Sequence, residues 1–395
     1  MAASTKKARA FRHLSKAECK PAIILASTQT GWGGGEVYLS TLAQGIRERG
    51  YPVRFIAREG SVLQRAAIAE EFSVHGLAKR GRNPWALWRL RNELQSGGPT
   101  IVHCNDSHAL MASGLATFGL PNVRCVGIRH TMFPVRAPWK YNRIADRVIC
   151  VSHAVADSCK KQGIFQDRIS VIHAAINAPK VELSEVQRLR DQFLFSPDER
   201  LVVAVGNLMP CKGHSYLIES IARLKSVGAK IRLLIAGEGE ERANLEARIR
   251  QLSLSQEVRL LGFRKDPDIL LSAADVVVHP SFNEGLCLTV AAAMMLQKPI
   301  VATGVGGLRD VLGMEQRMGN HSFGPFAEIV PPKDIQAITD AIQKQLTYPL
   351  MPDRLHAAQE YALSNFTQTV MVEKTLKTYH SLWSTLGQDA REVAA

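Results

Sequence analysis

Three ionisable side chains stand where an apolar strand gives way to a helix. They are Lys212 in GNLMPCKGHSYLI, Glu284 in HPSFNEGLCLTV and His130 at the end of VRCVGIRH. A lysine at such a mouth suits a diphosphate as a point charge, or is simply a helix-end surface lysine. A carboxylate there can accept hydrogen bonds from sugar hydroxyls. Gly285 lets the chain turn into a helix whose first free N–H groups, near Leu288 and Thr289, can hold a phosphate. His130, in the basic loop RHTMFPVR, stands evenly between a structural and a ligand-facing role. A fourth loop, TGWGGGEVYL, holds Gly33, Gly34 and Gly35, which have no Cβ and so allow close backbone approach. It lacks both the dinucleotide G-x-G-x-x-G with its later acid and the G-K-[ST] of a Walker loop. A tight structural turn therefore stays open beside a phosphate or sugar cradle.

The elements that must position these residues alternate. In the first half AIILAST, PVRFIA, FSVHGL, TIVHCN, VRCVGIRH, RVICVS and RISVIHAAI read as strands. Helical stretches separate them, the first marked by Val37, Leu39, Leu42, Ala43 and Ile46. After a polar helical bridge at 181–198 the pattern restarts with RLVVAVGN, IRLLIAGEG, VRLLGF, ADVVVHPS, PIVATG and FAEIV, with helices between. Apolar strands alternating with helices mean parallel sheets covered on both faces. The expected class is α/β, with two doubly wound Rossmann-like domains and an interdomain cleft. The expected boundaries are a basic leader at 1–20, a first domain at 21–180, a second at 181–370, and a C-terminal helix and tail at 371–395 packing back on the first. Ligands of such sheets sit beyond the carboxyl ends of the strands.

Composition narrows the function. The chain has 395 residues and a net charge of +13. Residues 1–180 hold 26 basic and 11 acidic side chains, a net of +15, against −2 for the remainder. A basic half beside a neutral one suggests an anionic partner, or a merely solvated basic surface. No nucleic-acid module is present, and no aromatic residues interleave with the basic ones as an RNA-binding sheet requires. No apolar run is long enough for a membrane span, and PAIILAS reads as a buried strand rather than a signal sequence. The seven cysteines are scattered without metal-type spacing, which fits reduced thiols in the cytoplasm. No ligand cluster completes a site around His103 and His108, so no metal is expected.

Taken together these loops resemble the GT-B glycosyltransferases, specifically the retaining family-4 ("group 1") type, over residues 21–385. The matching pieces are Gly34-Gly35-Glu36 for the GGxE loop, ADRVICVSHAV, VGNLMPCKG, LLIAGEGEER, VRLLGF and HPSFNEGLCLTVAAAMMLQKPIVATGVGG. The resemblance implies transfer of a sugar from a nucleotide-diphosphate donor without a metal or other cofactor. Lys212 and the amides of Leu288 and Thr289 would hold the diphosphate, and Gly33, Gly34 and Gly35 would meet its distal phosphate. Glu284 would orient the donor sugar, His130 would lie near the transferred sugar, and the loop with Phe263 and Arg264 would contact the base. Joined to the resemblance, the basic first half points to an anionic or lipid-linked glycan acceptor in cell-surface polysaccharide synthesis, and with the basic leader to peripheral contact with an anionic membrane from the cytoplasm.

Departures from the family pattern are equally informative. The family's arginine after the first glycine is Asn207, the glycine two before the phosphate-binding amides is Cys287, and its second glutamate falls at Ala292. That glutamate normally holds the ribose. A charged hydrogen bond is worth about 1.5–3 kcal/mol, so its loss weakens donor binding by roughly 10- to 150-fold. A drifted donor site, a deliberate replacement and a protein that binds without transferring all fit the alanine.

Overall fold

The computed structural model describes residues 20–78, 84–96, 98–194, 196–314, 326–348 and 351–392; the basic leader lies almost wholly outside them. Thirteen named strands form two sheets. The first contains β1 (Ala22–Ser27), β2 (Val53–Arg58), β3 (Ser73–Leu77), β4 (Thr100–Cys104), β5 (Val123–Arg129), β6 (Arg147–Cys150) and β7 (Ile169–Val171), in the order β3-β2-β1-β4-β5-β6-β7. The second contains β8 (Arg200–Val205), β9 (Ile231–Ala236), β10 (Val258–Gly262), β11 (Val276–His279), β12 (Ile300–Thr303) and β13 (Glu328–Val330), in the order β10-β9-β8-β11-β12-β13.

The pairings are parallel, as in β1, where Ile23 lies opposite both Val53 and Ile101. Burial explains the composition of the strands. Ile23, Leu25, Val202, Val203, Val277 and Val301 are all sealed from solvent, as strands covered on both faces must be. In each sheet the order reverses beside the first strand, next to β1 and next to β8. Such a switch opens a crevice at the strand ends. The expected α/β, doubly wound architecture is present in both halves.

By contact density the chain divides into two compact units. The first comprises residues up to Gly127 with Arg143–Asp146 and the chain from Leu376 onward; the second comprises Ile128–Asn142 and Arg147–Thr375. In the first unit the Tyr379 hydroxyl bonds His103 Nδ1 at 2.7 Å and Tyr51 bonds His380 at 2.6 Å. In the second, the helix after β9 starts only at Arg242, five residues beyond Gly237. Residues Glu238–Glu241 instead wrap the chain after β8: Leu208 N–H donates to Glu238 O, and Glu241 N–H donates to Leu208 O. The helical tail breaks into Pro352–Asn365 and Gln368–Glu392. The break falls where Ile176 N–H donates to the Phe366 carbonyl.

Among the described residues no helix is long and apolar enough to cross a membrane.

Candidate functional site

The strand-end loops of the second unit bring Lys212 and Glu284 together. Lys212 ends the short turn Pro210–Lys212, and Gly213 follows in the left-handed region at φ +70°. A Cβ at Gly213 would lie 2.3 Å from the Pro280 carbonyl, so glycine is what lets this loop close on the end of β11. Phe282 N–H donates to Cys211 O at 2.9 Å and ties the two loops. The Lys212 ammonium then donates to Glu284 Oε1 at 2.6 Å.

That single oxygen carries two further donors. His279 Nε2 lies 2.7 Å from it and Ser281 Oγ donates at 2.7 Å. Cys287 Sγ sits 3.3 Å from the same imidazole nitrogen. Burial alone would push the Glu284 carboxyl up, but His279 and then Lys212 outweigh it and hold the group down at about 2. Burial would likewise push His279 down; the Cys287 sulfur and the Glu284 carboxylate lift it to about 9. The Lys212 ammonium, opposed by burial, is held above its ordinary value chiefly by Glu284. His214, buried one residue past Gly213, is pushed down to about 4 by burial and then by His279, so no second cation forms there near neutral pH. The result is a fixed cation–carboxylate–imidazolium array at a strand end.

Behind it lies a stack of glycines. A Cβ at Gly285 would fall 2.0 Å from the His130 carbonyl, one at Gly306 2.3 Å from the Glu284 carbonyl, and one at Gly307 1.9 Å from the Gly285 carbonyl. Gly307 N–H donates to Glu284 O at 2.9 Å. The backbones of His130, Gly285 and Gly307 thus touch, which brings the first-half histidine to the Glu284 turn.

The helix Leu288–Met295 begins two residues further on, with Cys287 as its N-cap. Leu288 and Thr289 are half-buried in its first turn, while Val290–Met295 are all buried. Ala292, 5% exposed, packs in an apolar cluster with Val290, Leu308 and Phe366. Asn207 is exposed after β8. Phe263 is 71% exposed after β10, and Arg264 forms two bonds of 2.8 and 2.6 Å with Asp266.

Gly33, Gly34 and Gly35 belong to the first unit, where Gly33 caps the helix Gly34–Glu48. A Cβ at Gly35 would meet Asn105 Nδ2 at 2.8 Å, but one at Gly34 would meet nothing within 4 Å. Neither Gly33 nor Gly34 has positive φ. The tight-turn alternative therefore explains only Gly35. Glu36, buried, returns to the Gly33 N–H at 3.2 Å and accepts from Ser27 and Asn105. Its burial raises the carboxyl above the ordinary range.

The sequence marks Cys287 only as a departure from the family's glycine; His279 and Ser281, a polar pair at i and i+2 at the end of the sealed β11, escaped the sequence reading. So did a second array: Asp310 Oδ2 accepts from His153 N–H at 2.7 Å and lies 2.9 Å from His153 Nδ1 and 3.2 Å from His173 Nε2. Burial raises Asp310, but His173 and His153 more than offset that and hold it low. Among the described residues, this trio and His279, Glu284 and Cys287 each offer three atoms at metal-ligand spacing. In the second trio the Lys212 ammonium already occupies the carboxylate oxygen, which opposes a cation there.

Residues 185–362 match the family described as glycosyl transferases group 1, and residues 32–179 match glycosyltransferase family 4. An uncharacterized glycosyltransferase of Methanocaldococcus jannaschii is 32% identical over 312 residues, covering 72% of this chain and 80% of that one. The 2-deoxystreptamine glucosyltransferase of Streptomyces kanamyceticus is 28% identical over 191 residues; the match spans 47% of this chain and about half, 49%, of that protein. Among solved structures, Anabaena HepE in complex with UDP and glucose superposes with a TM-score of 0.78 at 20% identity, covering 91% of this chain and 100% of that chain.

Proposed function

From the premise that the chain belongs to the group 1 glycosyltransferases of GT-B fold, we propose that it moves a hexose from a nucleotide-diphosphate sugar to an acceptor hydroxyl with retention of anomeric configuration. The observation that carries this reading is the Lys212–Glu284 contact of 2.6 Å at the end of β11, beside the start of the helix Leu288–Met295. The anionic donor meets Lys212 and the first amides of that helix. Negative charge grows on the departing diphosphate in the transition state, so fixed donors there lower the barrier. Removing one such donor costs about 10²–10³-fold in rate. Glu284, kept ionised by its three donors, accepts from sugar hydroxyls. Charge neutralisation by Lys212 and the helix amides replaces a metal ion in this scheme.

The HepE complex with UDP and glucose makes a UDP-hexose the first donor to test. The acceptor is anionic or lipid-linked and its place is cell-surface polysaccharide synthesis on the cytoplasmic face, supported by the +15 charge of residues 1–180. A second reading, a chain that binds nucleotide-sugar with impaired transfer, is favoured by Asn207 and Ala292. A UDP-sugar panel with mass detection of the transferred sugar, run on the chain and on Ala292→Glu and Lys212→Ala, separates them. The transferase reading expects turnover, tighter donor binding in Ala292→Glu by roughly 10- to 150-fold, and loss in Lys212→Ala. Calorimetric binding with no turnover in either chain selects the second reading, and no binding in either discards both.

A further inference from the structure

The polypeptide between His130 and the helix Pro138–Ile144 is laid against the end of the helix His153–Lys161, all but the end of the first helix within the second unit. Three contacts fix it there. Val135 N–H donates to Gln162 Oε1, Asn142 Nδ2 donates to the Gly163 carbonyl at 2.8 Å, and Phe165 N–H donates to Asn142 Oδ1 at 3.0 Å. A Cβ placed on Gly163, which sits at φ +91°, would meet the Pro138 ring at 3.7 Å. This stitched surface holds three large rings out in water: Phe133, Trp139 and Phe165 are 55%, 51% and 58% exposed. Arg136, Lys160 and Lys161 are exposed on the same two segments. Residues 129–143 carry four basic side chains and no acidic one, while 153–168 carry three basic and two acidic, Lys160 being paired with Asp157 at 3.2 Å.

Exposed rings held by backbone bonds gain nothing from water, and three on neighbouring segments form a patch rather than single scattered residues. Aromatic rings interleaved with basic side chains match the boundary of an anionic bilayer, where rings sit at headgroup depth and each basic residue adds about fivefold to binding. The charge sign rules out a basic surface as occupant. Next to the platform a cavity of about 450 Å³, lined by His153, Asp157, Lys161, Gln162, Arg309 and Asp310, opens along the helix His153–Lys161. It gives a headgroup-linked acceptor a route off the bilayer. We propose that this face docks the protein on an anionic membrane; the assignment deepens the lipid-linked-acceptor reading above and rests on it for its biological purpose only.

The test is cosedimentation of the full chain with phosphatidylglycerol–phosphatidylcholine vesicles and with phosphatidylcholine vesicles alone, at low and high salt. Binding to the anionic vesicles is expected, falling at least tenfold at high salt. The double variants Phe133→Ser/Trp139→Ser and Lys160→Glu/Lys161→Glu are each expected to lose at least tenfold, while Trp85→Ser/Trp88→Ser, at an exposed pair of the first unit, keeps wild-type binding. Thermal melting and UDP-induced stabilisation, measured on each variant, must match wild type for its loss to count. Wild-type binding by both platform variants overturns the proposal, as does equal loss in the Trp85/Trp88 control or no binding by the wild-type chain. Vesicle binding without donor turnover sinks the transferase reading and leaves the platform standing. Turnover on a soluble acceptor with no vesicle binding does the reverse.

Discussion

At the scale of single residues, Glu284 and His279 form a buried charge pair whose pH window follows from the direction of each shift. The Glu284 carboxyl is held down at about 2, so its contribution is full above its ordinary value near 4.5 and fades as pH falls toward 2. His279 is lifted to about 9, so its contribution is full below its ordinary value near 6.5 and is lost as pH rises through 9. Melting temperature is therefore expected to fall from pH 7 to 9.5, with a loss on the order of 2 kcal/mol. His279→Gln should lower stability at pH 7 and flatten that alkaline slope. An unchanged slope would remove the pair from this account. Glu284 and Lys212 were legible because each stands beside a glycine in a strand-to-helix loop that matches a family motif. The bonds that His279, Ser281 and Cys287 make around Glu284 were not, because a polar atom at an apolar strand end shows its partner only once the chain is folded.

At the scale of elements, the run Gly285–Leu296 carries no charge, for two reasons. Its first part is packed backbone to backbone, and its second part is a helix sealed from Val290 to Met295 between the sheet and the helix Pro352–Asn365. Each fully buried Val or Met side chain there contributes about 1.5–3 kcal/mol, so packing selects apolar side chains along most of it. Glycines of the same loops divide into those the fold needs and those it does not. Gly307→Ala must displace the Gly285 carbonyl from 1.9 Å, and a loss of about 1–3 kcal/mol or more is expected in denaturant melts. Gly34→Ala meets nothing and should leave stability unchanged or slightly higher, yet cut transfer if a phosphate approaches there. Equal activity of Gly34→Ala and the parent would return that loop to a purely structural role. The strands and most helices were readable from apolar runs alone. The late start of the helix at Arg242 was not, since only the folded loop after β8 claims Glu238–Glu241.

At the scale of the whole molecule, the chain's last helix contributes to the core of its first unit. The Tyr379 ring, fully buried, bonds His103 at 2.7 Å across 276 residues of sequence. No local pattern announces such a pairing: His103 reads as one more residue of a buried strand and Tyr379 as part of an amphipathic tail. Tyr379→Phe keeps the ring but removes the donor beside a buried imidazole, and a loss of about 1–3 kcal/mol is expected in thermal or urea melts. A neutral result would mean the imidazole bonds another group equally well. The charge asymmetry was visible in the sequence, but not its concentration beside exposed rings at 129–143, because exposure is a property of the fold.

The described cysteines supply an optical handle on the site. Cys104, Cys125, Cys150, Cys159 and Cys287 are buried, whereas Cys211 is partly open and is the immediate neighbour of Lys212. Once Cys19, outside the described residues, is replaced by serine, a thiol-reactive dye should label Cys211 first. Occupancy at Lys212 would then be read as slowed labelling or a changed emission, without any need to know the acceptor.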